Sequence, residues 1–420
     1  MNRTLPFSDA VTRATTEPTT YGWRVFAVLS ALMGFASIST DFYLPALPAM
    51  ATALGANAGQ MALTISGYLI GFSVGQLLWG PIGDRYGRRA PVAIGLVLFV
   101  IGSAGCALAH SAAIMIAWRL VQAAGACAGV VLARAIVRDL YAGQRAAQML
   151  STLMTIMAIA PLLGPILGAQ ILALAGWRAI FWTLVGVGLL TLAALCSLPE
   201  TLPIERRSRE PLARAFGLYA DLLGQRRMLG YAGAGGFFYA GLFAYIAGTP
   251  FAYISYHHVE PRFYGLLFGA GIIGIMATNL INARLVIRAG GDRLMFWGAG
   301  AAALSGVVLA VAARTDWGGL TGLVLLLFLF VSATGFVVAN SLAGAMAQHP
   351  DRAGAVSALV GAIQYGCGIA GSALVGFFAD GTPWPMGWVI ALSGVGSLAS
   401  ALLLIESPRK NDADARNSYS

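Results

Sequence analysis

Long runs of apolar residues, recurring from about residue 25 to residue 405 with only short polar breaks, are what most limits how this chain can fold. About 20 apolar residues in a helix span the hydrocarbon core of a bilayer. Within that core only helices and closed barrels satisfy every backbone polar group. Twelve runs reach this length, within 25–48, 60–81, 90–109, 112–136, 147–172, 178–198, 229–254, 262–284, 294–313, 318–342, 353–377 and 385–405. Only His110 and Ser111 separate the third from the fourth. A transmembrane barrel would show short alternating segments instead. The expected fold is therefore an all-α membrane protein with twelve transmembrane helices. Composition agrees, because 10% of the 420 residues are charged and 58% are hydrophobic, whereas a soluble domain carries about a quarter charged residues. A water-soluble enzyme and a disordered chain are both excluded on that ground.

The charges orient the helices. If the chain starts in the cytoplasm, 21 of its 26 Lys and Arg residues fall in cytoplasmic segments, among them Arg3, Arg13, Arg24, Arg85, Arg88, Arg89, Arg206, Arg207, Arg209 and Arg416. The other face holds Arg178, Arg262 and Arg314, and Arg119 and Arg134 lie inside a span. Positive-inside placement of this kind puts both termini in the cytoplasm. It also accounts for the net charge of +9 without a nucleic-acid partner. Residues 1–22 are polar, include Asp9 and Glu17, and lack the apolar core of a signal peptide.

The longest polar stretch between spans follows the sixth. The expected organisation is a cytoplasmic tail (1–24), a six-helix half (25–198), a cytoplasmic central loop (199–228), a second six-helix half (229–405) and a cytoplasmic tail (406–420). Two pseudo-symmetric halves would place a binding site at their interface. Gly83-Asp84-Arg85 after the second span recurs as Gly291-Asp292-Arg293 after the eighth. A monomer is expected, since one chain completes such a fold.

Four constellations carry candidate chemistry. GPIGDRYGRR, Gly80 to Arg89, occupies the turn between spans two and three. Its Gly80, Gly83 and Gly87 permit sharp reversal and close approach. Asp84 and Arg88 stand four apart and can pair on a helix, with Arg85 and Arg89 beside them. Asp41, in STDFYLPALPAM, is the only acid well inside an apolar span. Such a placement costs about 2.5–3.5 kcal/mol and marks a functional candidate. The plainer reading is a cap at a helix end, since Pro45 and Pro48 follow. Arg119, in RLVQAAGACAG, needs a counter-charge or water. At about 1.5 Å per residue, Asp41 and Arg119 both sit roughly 10 Å below the outer surface, so they can meet across a shared cavity. Pinning helices through backbone carbonyls is the alternative. In APLLGPILGAQ, Ala160, Gly164 and Gly168 recur every four residues and give a flat packing face, while Pro161 and Pro165 bend the helix.

Weaker candidates surround these. Asp139, beside Arg138, reads as an interfacial ion pair or a cytoplasmic proton acceptor. Tyr43, Tyr68, Gln122, Phe238 and Tyr245, with Phe237 and Tyr239, are candidates to line a cavity. Aromatic residues in a membrane helix also face lipid or neighbouring helices. Cys106, Cys127, Cys196 and Cys367 are scattered singly, and His257 and His258 have no partner ligands in sequence. No metal or cofactor is expected. Nor is an enzyme, since HExxH, a nucleophile with its base and paired acids on one helix are all absent.

Every fixed position of G-x-x-x-D-R-x-G-R-R/K is met by Gly80 to Arg89. Here the chain resembles the major facilitator superfamily, in which this loop latches the two halves on the cytoplasmic side. The resemblance implies that Asp84 sits near the N-terminus of the eleventh helix, favoured by its dipole. Gly164, Pro165 and Gly168 match the exporters' G-x-x-x-G-P-x-x-G-G, with Ala160 and Ala169 in place of the outer glycines. TDFYLPALPAM, RAIVRDLY, GWRAIFW, PETL and GTPFAYI look like the bicyclomycin and chloramphenicol resistance (Bcr/CflA) branch of drug:proton antiporters. That resemblance implies that Asp41 binds proton and substrate and that Arg119 supports it. The second acid of some relatives falls at Met33 here, so that helix carries one titrating group. The implied activity is proton-coupled efflux of small neutral or amphipathic drugs, or of a small metabolite, by alternating access. The implied partners are a small-molecule substrate, protons and the lipid bilayer. A proton-coupled importer of a small metabolite is the alternative.

Overall fold

The computed structural model describes residues 23–141, 143–208 and 212–405. The two tails, apart from Trp23 and Arg24, lie outside the described residues, as do Arg3, Arg13, Arg209 and Arg416. Among the described residues, twelve helices are long and apolar enough to cross a membrane. Spans 1 to 6 are Trp23–Ala53, Ala58–Tyr86, Arg89–Leu108, Ala112–Leu140, Gln148–Ala175 and Trp177–Leu195. Spans 7 to 12 are Arg226–Tyr256, Pro261–Ala289, Gly291–Thr315, Gly319–Ala347, Pro350–Phe377 and Trp384–Leu402. Each expected run falls on one of them to within a few residues.

Local chemistry explains where several helices begin and break. Span 2 opens on a capping box. The Asn57 side chain accepts from the Gln60 N–H at 2.8 Å, and the Gln60 side chain accepts from the Asn57 N–H at 3.1 Å. The narrow division between spans 3 and 4 holds because Ser111 caps span 4, its hydroxyl accepting from the Ile114 N–H at 3.3 Å. Span 1 is interrupted in its middle. Pro45 has no N–H, and its ring would collide with the carbonyl four residues earlier, which belongs to Asp41. The helix Trp23–Asp41 therefore stops there. A short 3-10 turn, Leu44–Ala46, and a helix, Leu47–Ala53, continue the span, each with a proline in its first turn. Asp41 thus lies at a break inside the span.

The GPIGDRYGRR segment corrects one expectation. Span 2 stays helical through Tyr86, so the turn consists of Gly87 and Arg88 alone. Gly87 holds φ +92°, a conformation that favours glycine. The corresponding turn before span 9 uses Gly290 at φ +80°.

Helix packing repeats between the halves. Span 4 lies on spans 1, 2 and 3, span 6 on span 3, and span 1 on span 5. Six helices later, span 10 lies on spans 7, 8 and 9, span 12 on span 9, and span 7 on span 11. The halves meet where span 2 runs along span 11 and where span 5 runs along span 8, contacts that exchange under the same pairing. The Ser66 and Ser372 hydroxyls bond at 2.8 Å, and the Ser73 hydroxyl donates to the Ala362 carbonyl at 3.0 Å across the first of these seams. The central loop contains a helix, Leu212–Leu223. Its Tyr219 and Leu222 are buried among Met228 and Tyr231 of span 7, Met295 of span 9 and Val356 of span 11. This helix and the Gly87–Arg88 turn mark the arginine-rich end of the bundle.

Candidate functional site

A cavity of about 210 Å³ lies between the halves. The first half lines it with Thr40, Asp41, Tyr68, Phe72, Met157 and Pro161, and the second with Tyr239, Tyr245, Phe268 and Tyr365. Asp41 is only 4% exposed. Among the described residues no basic side chain lies within 4.0 Å of its carboxylate. Away from the arginine-rich end, Tyr43, Leu44, Leu47 and Met50 pack into the buried core with Tyr253 and Tyr264 of the other half, so apolar side chains fill the bundle on that side of Asp41.

Arg119 is fully buried and reaches the same level of span 1. Its Nη1 donates to the Ser39 carbonyl at 2.8 Å and to Gln122 Oε1 at 2.6 Å. Gln122 in turn donates to the Ser103 hydroxyl at 2.8 Å. The guanidinium lies between two rings, 4.2 Å from the Tyr43 centroid and 4.3 Å from that of Tyr68. An arginine at mid-membrane costs about 2.5–3.5 kcal/mol on insertion scales. Each desolvated cation–π contact returns about 2 kcal/mol, and each charged hydrogen bond about 1.5–3 kcal/mol. These contacts offset the cost without a carboxylate: among the described residues Arg119 makes no ion pair with Asp41 within 4.0 Å and holds span 1 through the Ser39 carbonyl, the alternative reading of its sequence position. The Nε and Nη2 groups of Arg119 remain buried without a partner. Lysine has no planar face to place between two rings. Arg119→Lys is therefore expected to lower stability by about 1–3 kcal/mol, read from thermal unfolding in detergent.

Span 5 supplies the wall behind Asp41. A Cβ built on Gly164 would lie 2.8 Å from the Asp41 Cβ, and one on Gly168 would overlap the Phe42 carbonyl oxygen. The small-residue face thus packs on the break in span 1. Pro165 lies within the same helix, Gly143–Ala175, and Pro161 borders the cavity.

At the arginine-rich end, Arg88 is the hub of a polar cluster. It bonds Asp84 at 2.7 Å, the four-residue pair expected from sequence, and Asp139 at 2.8 Å. Asp139 is in an ion pair at this end, one of its two sequence readings, and its partner is Arg88 of the neighbouring turn. Glu200 completes the cluster by accepting from the backbone N–H groups of Arg88 at 2.8 Å and Arg89 at 3.2 Å, and so caps span 3 from 111 residues away. Gly83 packs on Leu132, Gly80 has no atom within 4 Å of its built Cβ, and Gly87 leaves room for the Glu200 carboxylate. The Arg85 guanidinium lies 5.7 Å from the Tyr86 ring centroid, and Arg89 donates to the Cys196 carbonyl at 3.3 Å.

Partial burial raises the Glu200 carboxyl. The backbone donors of Arg88, Leu202 and Arg89, with the Arg207 guanidinium, outweigh that effect and hold it below the usual carboxylate range. A lowered folded-state pKa stabilises the fold above the unfolded value, about 4.3, and the contribution disappears as pH falls through the folded one. Glu200→Gln should therefore unfold at lower temperature than the parent at pH 7, and the gap should close on acidification below that range. Thermal unfolding across this pH series checks it.

Of the residues expected along the cavity, Tyr68, Tyr239 and Tyr245 line it, while Phe237 lies outside it, exposed on the bundle surface. Tyr43 and Gln122 lie outside the lining, attached to Arg119. Phe238 lies outside it too, stacked on Phe330 at 5.1 Å. Phe72, Phe268 and Tyr365 were missed because lone aromatics in apolar helices carry no signal of the face they occupy. Among the described residues, no group of three or more His, Cys, Asp or Glu side chains comes together to hold a metal.

Two six-helix halves around a cavity that holds one carboxylate among the described residues have the architecture of a secondary transporter. The chain belongs to the Major Facilitator Superfamily, whose family model matches residues 27–372. It is 35% identical over 382 residues to the uncharacterized MFS-type transporter YdgK of Bacillus subtilis, covering 88% of this chain and 94% of the relative. It is 30% identical to a bicyclomycin resistance protein homolog of Haemophilus influenzae, covering 86% of this chain and 89% of the relative. It is also 30% identical to a chloramphenicol resistance protein of Pseudomonas aeruginosa, covering 87% and 88% respectively. A solved D-xylose-proton symporter shares the fold with a TM-score of 0.72 at 17% identity, covering 92% of this chain and 98% of the symporter. The chain is thus a multi-pass transporter of small solutes of the bacterial inner membrane.

Proposed function

We propose that the chain exports small neutral or amphipathic molecules in exchange for protons, as a member of the Bcr/CflA branch. In this reading it acts as a monomer, with its arginine-rich end and both termini in the cytoplasm. The observation that carries it is Asp41, a carboxylate that lines the cavity between the halves and has no basic partner within 4.0 Å among the described residues. An apolar cavity closes over a charge only at high cost. Protonation makes Asp41 neutral and removes that cost. With the cavity open outward, Asp41 takes a proton. With it open inward, solute binding and proton loss are linked, so each cycle exchanges one for the other. The exporter-like Gly164 packs on this same residue and Gly168 on its neighbour Phe42, and two relatives of 30% identity are named for resistance to bicyclomycin and chloramphenicol.

The driving force can be bounded. One charge moving through 100 mV supplies about 2.3 kcal/mol, and one pH unit about 1.4 kcal/mol. One proton exchanged for one neutral molecule then sustains a gradient of roughly several hundred-fold. Sites that enclose drug-sized ligands usually measure roughly 300–1,000 Å³, so the halves must part further to admit one. Proton-coupled uptake is the second reading, because the fold is shared with a proton symporter and a fold alone does not set direction.

Everted vesicles holding the protein test the reading. Respiration acidifies their interior, a dye reports the gradient, and uncharged and cationic drugs are added in turn. Export by exchange predicts that at least one drug dissipates the gradient in these vesicles and leaves empty ones unaffected. Uptake coupled to protons predicts acidification of the lumen of right-side-out vesicles when solute is added.

A further inference from the structure

Spans 1 and 6 leave a groove between them, with a volume of about 470 Å³. It shares no lining residue with the cavity that holds Asp41. Ala27 and Ala31 of span 1 and Ala194 of span 6 all line it, and side chains this small leave the space open. Ala27, Leu190 and Ala194 are exposed, so the groove opens away from the bundle, towards lipid. Its two lining hydroxyls are turned back on their own helix. Thr191 donates to the Val187 carbonyl at 2.8 Å, and Ser197 to the Ala194 carbonyl at 2.6 Å. The walls are therefore apolar along their length.

One end of the groove is different. Arg24 lines it there, with its guanidinium 5.9 Å from the ring centroid of Trp23, a residue type that favours the membrane interface. Arg89, at the start of span 3, donates to the carbonyl of Cys196 at 3.3 Å, next to Ser197 of the lining. Among the described residues no acid lies within 4.0 Å of either guanidinium. Glu200, the acid nearest in sequence to Ser197, is taken up by the Arg88 and Arg89 N–H groups and by Arg207.

The depth of the groove points to its occupant. Along span 6 the lining runs from Val187 to Ser197, which is about 15 Å of helix. One leaflet, half of a hydrocarbon core about 30 Å thick, has the same depth. A peptide segment in such a groove would bring backbone polar groups that apolar walls cannot satisfy. An acyl chain brings none. At the polar end, a guanidinium fork matches a phosphate, and basic pockets between membrane helices attract anionic headgroups. We propose that the groove between spans 1 and 6 binds one anionic phospholipid from the leaflet at the arginine-rich end, with an acyl chain along Ala27, Ala31 and Ala194 and the phosphate at Arg24 and Arg89. The site goes beyond the transport reading and is independent of the direction and coupling of transport.

The purified protein in detergent is offered equal amounts of phosphatidylglycerol and phosphatidylcholine with identical chains, and native mass spectrometry counts the lipid retained. Both lipids carry a phosphate, but choline adds a cation that two arginines repel. One phosphatidylglycerol is expected to be held, with a preference above about tenfold, and Arg24→Gln should cut that preference about fivefold. Ala194→Phe, which fills the groove from an exposed position, should release the lipid. Arg288→Gln, exposed near the end of span 8, is the control and should change nothing. An equal effect of Arg288→Gln and Arg24→Gln would show a diffuse attraction to the arginine-rich end and overturn the proposal. So would equal retention of the two lipids by the parent, or undiminished retention by Ala194→Phe. The parent comparison decides the matter even where a variant does not fold.

Discussion

Asp41→Asn is expected to abolish gradient-driven transport while leaving the protein folded. Asparagine has nearly the same shape as aspartate and exchanges no proton near neutral pH. Without an exchanging proton, solute can only equilibrate, so the ceiling of roughly several hundred-fold falls to about one. Stability should hold or rise. The side chain has no ion-pair partner to lose among the described residues, and the variant escapes an insertion cost of about 2.5–3.5 kcal/mol. Proteoliposomes with an imposed pH gradient, compared with an equal-pH control, measure the accumulation ratio. Uphill accumulation by the variant would show that another group couples the proton. Arg119 should behave differently, because its two rings and two hydrogen bonds tie it into the packing. Its substitution should therefore lower stability along with transport.

The second large effect is expected at Gly168. Alanine favours a helix over glycine by about 1 kcal/mol, so Gly168→Ala would be stabilising on propensity alone. Its Cβ, however, would overlap the carbonyl oxygen of Phe42, a backbone atom that cannot rotate away. Overpacking of this kind costs about 1–3 kcal/mol. The collision should prevail and push span 5 off the break that carries Asp41. The expected result is a lower unfolding temperature and transport reduced about tenfold or more. Gly186→Ala, where a built Cβ meets no atom within 4 Å, serves as control and should be neutral or slightly stabilising. Equal behaviour of the two variants would mean that the seam between spans 1 and 5 is looser than its geometry implies.

What was legible in sequence has a common character. The spans follow from hydropathy, and the Asp84–Arg88 pair follows from four-residue spacing on a helix that continues through Tyr86. Asp41 stands out because a lone acid inside an apolar run has no packing purpose. The helix break beside it follows from Pro45. What was not legible depends on how each helix is rotated about its axis. In a soluble helix the polar face marks the outside. In the membrane, lipid-facing and core-facing sides are both apolar. Nothing in the pattern separates Tyr43 and Phe238, buried away from the cavity, from Tyr365 and Phe268, which border it.

The sequence by itself determined the number of spans, the lone acid well inside one of them, the Asp84–Arg88 pair and the family resemblance, all of which rest on local composition or short spacing. Tertiary structure alone decided three further matters. It joined Asp139 to Arg88 across 51 residues and brought Glu200 to the start of span 3. It seated Arg119 between two rings rather than against Asp41, and it set the glycines of span 5 on the break in span 1. Each of these joins groups that are distant in the chain, and their meeting depends on helix rotation and tilt, which only the packed bundle fixes.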